Sequence, residues 1–461
     1  MKLTFDIAGD LDTPVSAFAK LAPFEPRFLL ESVEGGERLA RYSFIGFGEA
    51  LEVRLDDRGF QIGSERRQVP RDCVELLDGL RAALKQVPLP RSDFGHVPLA
   101  GGLVGFTAYD VVRFFERLPA RLPALKGVPL LHYLAPRSLL VFDHVSRGIA
   151  LLHAGSESER ESLRREVVAA LRGPVPAIVA ARGFSVPEPA LSRGDYMDGV
   201  RRAQEYIAAG DVYQLVLSSR FSGRHGLDPF QAYRALRLIN PSPYMYFCRL
   251  GDMTVVGSSP EALVKLNGRA AQLRPIAGTR PRDEDSARDA QLETELRADA
   301  KENAEHVMLV DLARNDLGRV ARAGSVRVQP YRSIERYSHV MHIVSGVSGE
   351  LDERRDAFDL FAATFPAGTL VGAPKVRAME IIEELEPVRR GLYGGTVGYF
   401  GAHGAMDQAI TIRTLVFHGD EYSYQAGAGI VADSVPAAEH DEVLAKSAAL
   451  LRALKLAEAG L

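Results

Sequence analysis

Two pairs of glutamates stand three residues apart in segments of helical pattern, Glu302 with Glu305 and Glu439 with Glu442. Residues at that spacing project from one face of a helix, so each pair presents two carboxylates together. Four oxygen donors with no cysteine or histidine pair beside them suit a hard cation, Mg2+ before Zn2+. The same spacing also decorates ordinary solvated helices, and spacing alone leaves both readings open. Glu261 follows the turn Gly257-Ser-Ser-Pro260, where it can serve as a positioned general acid or as a helix N-terminal acid. His342 lies in a strand-like run that suits a satisfied core histidine or a functional one. Arg413, in Ile-Thr-Ile-Arg-Thr, reads as mid-strand, and a guanidinium there needs an anion, structural or bound. Gly427 and Gly429 can bring backbone N–H groups to an anion or form a plain bend. Gln214 points from one face of a strand among apolar and small neighbours.

The elements that must hold these residues are legible. Tyr196–Ala209 is amphipathic, with Met197, Val200 and Ile207 on one side and Gly210 as the stop. Val212–Phe221 alternates as a strand, with Tyr213, Leu215, Leu217 and Phe221 on one face and Gln214, Val216, Ser218 and Arg220 on the other. Strands are expected around 254–256, 270–273, 340–347, 396–400, 409–417 and 422–426. Helices are expected at 73–85, 157–171, 287–315, 357–364, 374–385 and 438–456. There is no fixed-period repeat, and the mixture is α+β with much antiparallel sheet rather than strict βαβ alternation. Pro174, Pro176, Pro187 and Pro189 mark 172–195 as a connection. They divide the chain into a first region, 1–180, and a second, 190–461.

Composition narrows the function classes. The 461 residues carry a net charge of −4, which argues against a broad nucleic-acid footprint or a polybasic membrane surface. The 46% hydrophobic and 25% charged fractions are those of a globular protein. Cys73 and Cys248 are the two cysteines, too few for a disulfide framework or a cysteine zinc cluster. Charges interrupt the first ten residues before a signal-peptide core can form, and no apolar run nears the ~20 residues of a membrane span. A cytoplasmic protein is expected. Gly368-Thr-Leu-Val-Gly372-Ala-Pro-Lys375 lacks the spacing of a phosphate loop. No nucleophile elbow or His-Glu-x-x-His helix occurs. Tryptophan is absent from the whole chain.

Longer segments in order carry more. Pro275-Ile-Ala-Gly-Thr-Arg-Pro-Arg282, Lys301-Glu-Asn-Ala-Glu-His through Asp316, and Phe365-Pro-Ala-Gly-Thr-Leu-Val-Gly-Ala-Pro-Lys375 are followed by three more. These are Asp407-Gln-Ala-Ile-Thr-Ile-Arg413, Gln425-Ala-Gly-Ala-Gly-Ile-Val431 and Glu439-His-Asp-Glu-Val-Leu-Ala-Lys446. Together they resemble the chorismate-utilising enzymes, and within them the anthranilate synthase component I group. Leu29-Leu-Glu-Ser32, Arg41-Tyr-Ser-Phe-Ile-Gly46 and 101–110 extend the resemblance into the first half. Val371 and Ser219 depart from it where Ser and Gln are commoner.

The resemblance implies a fold of large antiparallel sheets packed as a sandwich with flanking helices. It implies that Glu302, Glu305, Glu439 and Glu442 hold Mg2+, which grips the ring carboxylate of chorismate. Arg413, Tyr393 and the backbone at Gly427 and Gly429 would hold the enolpyruvyl carboxylate, with Thr369 and Lys446 completing the cleft. Glu261 would protonate the departing hydroxyl, and His342 would serve the later loss of pyruvate. Water-adding relatives carry a lysine base where this chain has Gln214, which cannot act as that base. Aminodeoxychorismate synthases usually carry a nucleophilic lysine where this chain has Ala277.

The implied reaction is amination of chorismate followed by pyruvate loss, giving anthranilate for tryptophan biosynthesis. No amidotransferase module is visible, so a separate glutamine amidotransferase subunit (component II) is the implied partner, in a hetero-oligomer. Glu31, Ser32, Tyr42, Pro241, Tyr244 and Met245 resemble a feedback pocket for L-tryptophan. An aminodeoxychorismate synthase is the rival within the family, and a non-catalytic tryptophan-binding regulator the rival outside it.

Overall fold

A computed structural model describes residues 5–32, 41–90, 97–177, 182–336 and 340–461. Every ladder among them is antiparallel. Twenty-two strands form one hydrogen-bonded network, and a separate three-stranded sheet comprises Ile276–Pro281, Val340–Val344 and Ser333–Arg336. Helices flank the sheet, as the α+β reading expects. The two regions of the chain share ladders. Pro26–Glu31 pairs with Tyr244–Leu250, and Gly102–Thr107 pairs with Thr396–Gly401. Inner strands such as Leu131–Asp143 are buried on both faces and read as apolar runs rather than alternations.

Two clusters of buried side chains lie on this sheet. With no indole available, phenylalanine rings fill the large positions. Phe18 stacks on Phe230 at 4.7 Å and both meet Phe247 edge-on at 5.2 and 5.3 Å, and Phe361 packs on Phe365 and Phe400 at 5.1 and 5.5 Å. No helix among the described residues is long and apolar enough to cross a membrane.

Several boundaries differ from the sequence reading for identifiable reasons. The expected helix 287–315 is two helices, Ser286–Ala298 and Ala300–Gly318. Asp299 breaks it by accepting the Lys301 and Glu302 backbone N–H groups as the second helix's cap. The amphipathic helix runs from Arg193 to Ala208, with Ser192 as cap, and buries Tyr196, Val200 and Ala203. The expected strand 340–347 is interrupted at Ser345-Gly346. The expected strand 409–417 is interrupted at Arg413, whose φ of 49° is left-handed. Tyr213, assigned by alternation to an apolar strand face, is 76% exposed because the strand begins at Gln214. The connection 172–195 contributes short strands, Arg182–Phe184 and Glu188–Pro189, to the edge of Gln214–Gly226. Residues 178–181 of it lie outside the described residues.

One buried ion pair ties the sheet to the segments around it. Glu386 follows the helix Lys375–Leu385, and its Oε1 accepts from the Ser218 backbone N–H at 2.9 Å and the Ser218 hydroxyl at 2.6 Å. Arg390 donates to both Glu386 oxygens, at 3.0 and 2.6 Å, and to the carbonyls of Leu370 and Val216 at 2.6 and 2.8 Å. The two side chains are only 1–2% exposed. Removing one partner strands the other charge in the interior. Arg390→Met should therefore lower the free energy of unfolding by about 3–5 kcal/mol in urea titration. Arg390→Met combined with Glu386→Gln should cost less than the sum of the two single changes.

Candidate active site

The cavity that gathers the singled-out residues measures about 600 Å³. One wall is the helix Ala300–Gly318, which begins at the Asp299 cap and so places Glu302 and Glu305 in its first two turns. Arg280 reaches Glu302 at 3.4 Å. Burial, with Glu305 and Asp299 nearby, holds the Glu302 carboxyl above its ordinary pKa. Glu305 accepts the Gln214 side-chain amide at 3.2 Å. The facing wall is the helix Pro436–Ala459, with Glu439 and Glu442 near its start and Lys446 one turn later. Lys446 pairs with Glu442 at 2.7 Å and donates to the Gly427 carbonyl at 3.0 Å. Burial also raises the Glu439 carboxyl, with Glu442 adding to it against the Ser434 hydroxyl.

The floor is two paired strands, Gln214–Gly226 and Glu421–Ile430, in register Val216–Gly429 and Ser218–Gly427. The glycines are therefore strand residues, not a bend, and space is the reason for them. A Cβ on Gly429 would lie 2.6 Å from the Gln214 amide nitrogen, and one on Gly427 would lie 2.7 Å from the Tyr393 hydroxyl.

The last wall is built from connections. Glu261 sits between the strands Met253–Ser259 and Ala262–Asn267, not at a helix start. Thr369, in the short turn Gly368–Leu370, donates to Glu261 Oε1 at 3.0 Å. Burial raises the Glu261 carboxyl to about 7, although the Thr369 hydroxyl, Arg413 and Lys446 all act to lower it. The residue is half-buried and lines the cavity. Arg413 reaches the cavity from its left-handed backbone, a conformation that non-glycine residues adopt where the surroundings impose it. Tyr393 closes the corner beneath Arg390, which lies 5.5 Å from its ring centre.

Three placements separate expectation from geometry. His342 does not line the cavity, although Gly278 and Thr279 beside it do. Its Nδ1 lies 3.0 Å from the Gly278 carbonyl and 3.1 Å from the Thr279 hydroxyl. A carbonyl only accepts, so Nδ1 carries the hydrogen and Nε2 is left as the basic nitrogen. Arg413 is not mid-strand, as noted above. The four glutamates line one cavity, yet no group of three His, Cys, Asp or Glu among the described residues is drawn together as a ready metal cluster. Three of the four carboxylates are met by Arg280, Gln214 and Lys446 instead. As a donor set, oxygen-only and anionic, they fit a hard cation. Residues that the sequence reading passed over are Thr279, Lys301 and Gln425. Gln425 was within reach, since it lies two and four residues before Gly427 and Gly429 on one strand face.

A second cleft, of about 160 Å³, lies between the first strands and Tyr244–Leu250. Glu31, Ser32, Tyr42, Tyr244 and Met245 line it. Pro241 does not, and Pro243 does. The turn at Ser242, whose hydroxyl accepts from Ser258 at 2.8 Å, separates Pro241 from the strand that forms the wall. Glu31 is committed to Arg237 at 3.1 Å and to the Tyr233 hydroxyl. The buried Ser32 hydroxyl has no hydrogen-bond partner among the described residues.

The Glu261 environment makes a stability prediction. In the unfolded chain its carboxyl ionises near 4.5, but in the folded chain only near 7. Between those values the unfolded state releases a proton that the folded state keeps, so stability falls as pH rises. Glu261→Gln removes that dependence. Its stability relative to the unsubstituted chain should rise between pH 5 and pH 8, as read by denaturant midpoints at each pH.

Comparison with known proteins identifies relatives along nearly the whole chain. The chain is 48% identical to anthranilate synthase component 1 of Thermus thermophilus, over 98% of this chain and 97% of that one. It is 45% identical to anthranilate synthase component 1 of Pseudomonas aeruginosa, over 99% and 96%. The crystal structure of anthranilate synthase component I from Streptococcus pneumoniae superposes with a TM-score of 0.81 at 33% identity, covering 96% of this chain and 98% of that one. The family model described as chorismate binding enzyme matches residues 25–452, and the chain belongs to that family.

Proposed function

We propose that the chain is the chorismate-converting component of an anthranilate synthase. The observation that carries this reading is the pairing of Glu261 with Gln214 in one cavity. A carboxyl held near neutrality can donate a proton to a leaving hydroxyl, while the position opposite offers an amide rather than a lysine base. Chorismate enters with its ring carboxylate toward the two glutamate helices and its enolpyruvyl carboxylate toward Arg413, Tyr393 and the Gly427–Gly429 strand. Glu302, Glu305, Glu439 and Glu442 would hold Mg2+, which supplies positive charge to the ring carboxylate. Without such a cation, four carboxylates facing an anionic ligand would repel it.

Ammonia adds to the ring as Glu261 gives its proton to the departing hydroxyl, and water leaves. The aminated intermediate then loses the enolpyruvyl group as pyruvate. A ring hydrogen is removed as the ring becomes aromatic, and anthranilate results. His342, whose Nδ1 lies beside Thr279, is the candidate base for that second step through Nε2. The chain's motifs include no glutaminase, so a glutamine amidotransferase subunit supplies the ammonia in a hetero-oligomer, and the reaction takes place in the cytoplasm. Ala277 supports anthranilate over aminodeoxychorismate as the product, because a methyl group cannot form the covalent intermediate of the lysine-bearing relatives.

The cleft at Ser32 is the candidate site for L-tryptophan as feedback inhibitor. Its hydroxyl, without a partner among the described residues, can meet the ligand's amino or carboxylate group, and Pro243, Tyr244 and Met245 line the space beside it.

Two measurements test these readings. Chorismate, Mg2+ and ammonium salts with the isolated chain should yield anthranilate and pyruvate in equal amounts. Accumulation of an aminated chorismate without pyruvate would instead assign the folate-type reaction, and tryptophan affinity without any turnover would assign a regulator. Because the chain has no indole of its own, the emission anisotropy of added L-tryptophan reports binding directly. Ser32→Ala should weaken that binding about tenfold, the loss of one buried hydrogen bond, with turnover in tryptophan-free solution unchanged.

A further inference from the structure

Behind Tyr393 the strand Gln214–Gly226 continues past the catalytic cavity into a smaller chamber of about 30 Å³. The two spaces share Tyr393, Ile412 and Gln425. The guanidinium at its far end belongs to Arg220, on the same strand face as Gln214 and Val216. Arg220 donates to the Ser423 hydroxyl at 3.0 Å, and no carboxylate among the described residues comes within ion-pair distance of it. Arg390, the other cation of the chamber, is already neutralised by Glu386.

A second donor faces the same space. The Thr411 hydroxyl is buried, with the residue 1% exposed, and has no hydrogen-bond partner among the described residues. Ser423 accepts from Arg220, so its own hydrogen remains to be given. No acidic side chain among the described residues lines the chamber. Arg220 is half-buried, and Glu421, whose charge acts on it, forms no ion pair with it. A guanidinium partly withdrawn from water without a paired acid is costly, and two hydroxyl donors beside it suit an anion. We propose that the chamber is a binding site for a small monoanion of halide or formate size, held by Arg220, Thr411 and Ser423. The volume sets the size limit, since it admits one or two water-sized groups.

Bromide serves as the probe, in crystals and in solution, with gluconate at equal ionic strength as the control. Anomalous scattering should place bromide within hydrogen-bond reach of Arg220 and Thr411. Bromide should also raise the thermal unfolding midpoint saturably, as a ligand of the folded state does. Arg220→Gln should weaken the apparent affinity at least tenfold. Thr411→Val, which keeps the cation and the side-chain shape, should weaken it severalfold and guards against a misfolded arginine variant. Bromide absent from the chamber overturns the proposal, as does a rise matched by gluconate. Density at Arg220 without a saturable rise marks an adventitious ion only and overturns it equally. Stabilisation by pyruvate but not by bromide or formate overturns the size assignment. None of these readouts needs turnover, so they stand apart from the reaction proposed above.

Discussion

The buried pair Glu386–Arg390 holds the catalytic cavity in register. Through it the strand carrying Gln214 and Val216, the turn carrying Thr369, and Tyr393 all meet one rigid group. Arg390 takes the Val216 and Leu370 carbonyls, Glu386 takes the Ser218 backbone, and the guanidinium lies on the Tyr393 ring. Two charges removed from water cost several kcal/mol each unless every donor and acceptor finds a partner. Here the partners come from segments far apart in the chain, so the cost is offset only when those segments are correctly docked. The pair thus supplies positional specificity more than net stability.

What the pair positions is a cavity of separated charge. Two facing helices contribute the carboxylates, one of them also carrying Lys446, while Arg413 enters from a connection and glycine strands lie beneath. Such a cavity matches a ligand that is anionic overall yet must accept a cation along one edge. Three of the carboxylates are met by Arg280, Gln214 and Lys446, so the proposed cation would have to displace those contacts. Binding of ligand and cation would then be coupled through the same side chains. At Glu261 burial is the largest influence and no neighbouring carboxylate contributes, while Thr369, Arg413 and Lys446 oppose the rise.

Much of this was legible beforehand, and the failures have physical causes. Helix faces follow from the 3.6-residue period, so the paired glutamates and Lys446 could be placed on their helices from spacing. Gly427 and Gly429 could be seen as glycines needing close approach, but whether as bend or strand depended on a partner strand more than 200 residues away. Arg413 was misplaced because its neighbours are β-branched and apolar, and nothing local announces a left-handed residue. Asp299 broke a run of helix-favouring residues, because its side chain caps the Lys301 and Glu302 N–H groups. Pro241 and Pro243 are alike in sequence, and only the hydrogen bond at Ser242 separates them.

Residue order alone determined the family, the α+β class and most of the side chains that line the cavity, because these rest on ordered motifs and on local periodicity. Tertiary structure decided the rest. It raised Glu261 to about 7, since burial depends on everything packed around the carboxyl. It set His342 behind Thr279 and left the four glutamates without a ready-made cluster. It also gathered Arg220 and two hydroxyl groups at a chamber that no acid among the described residues lines. Those outcomes depend on which distant segments share one small volume, and no local pattern along the chain encodes that.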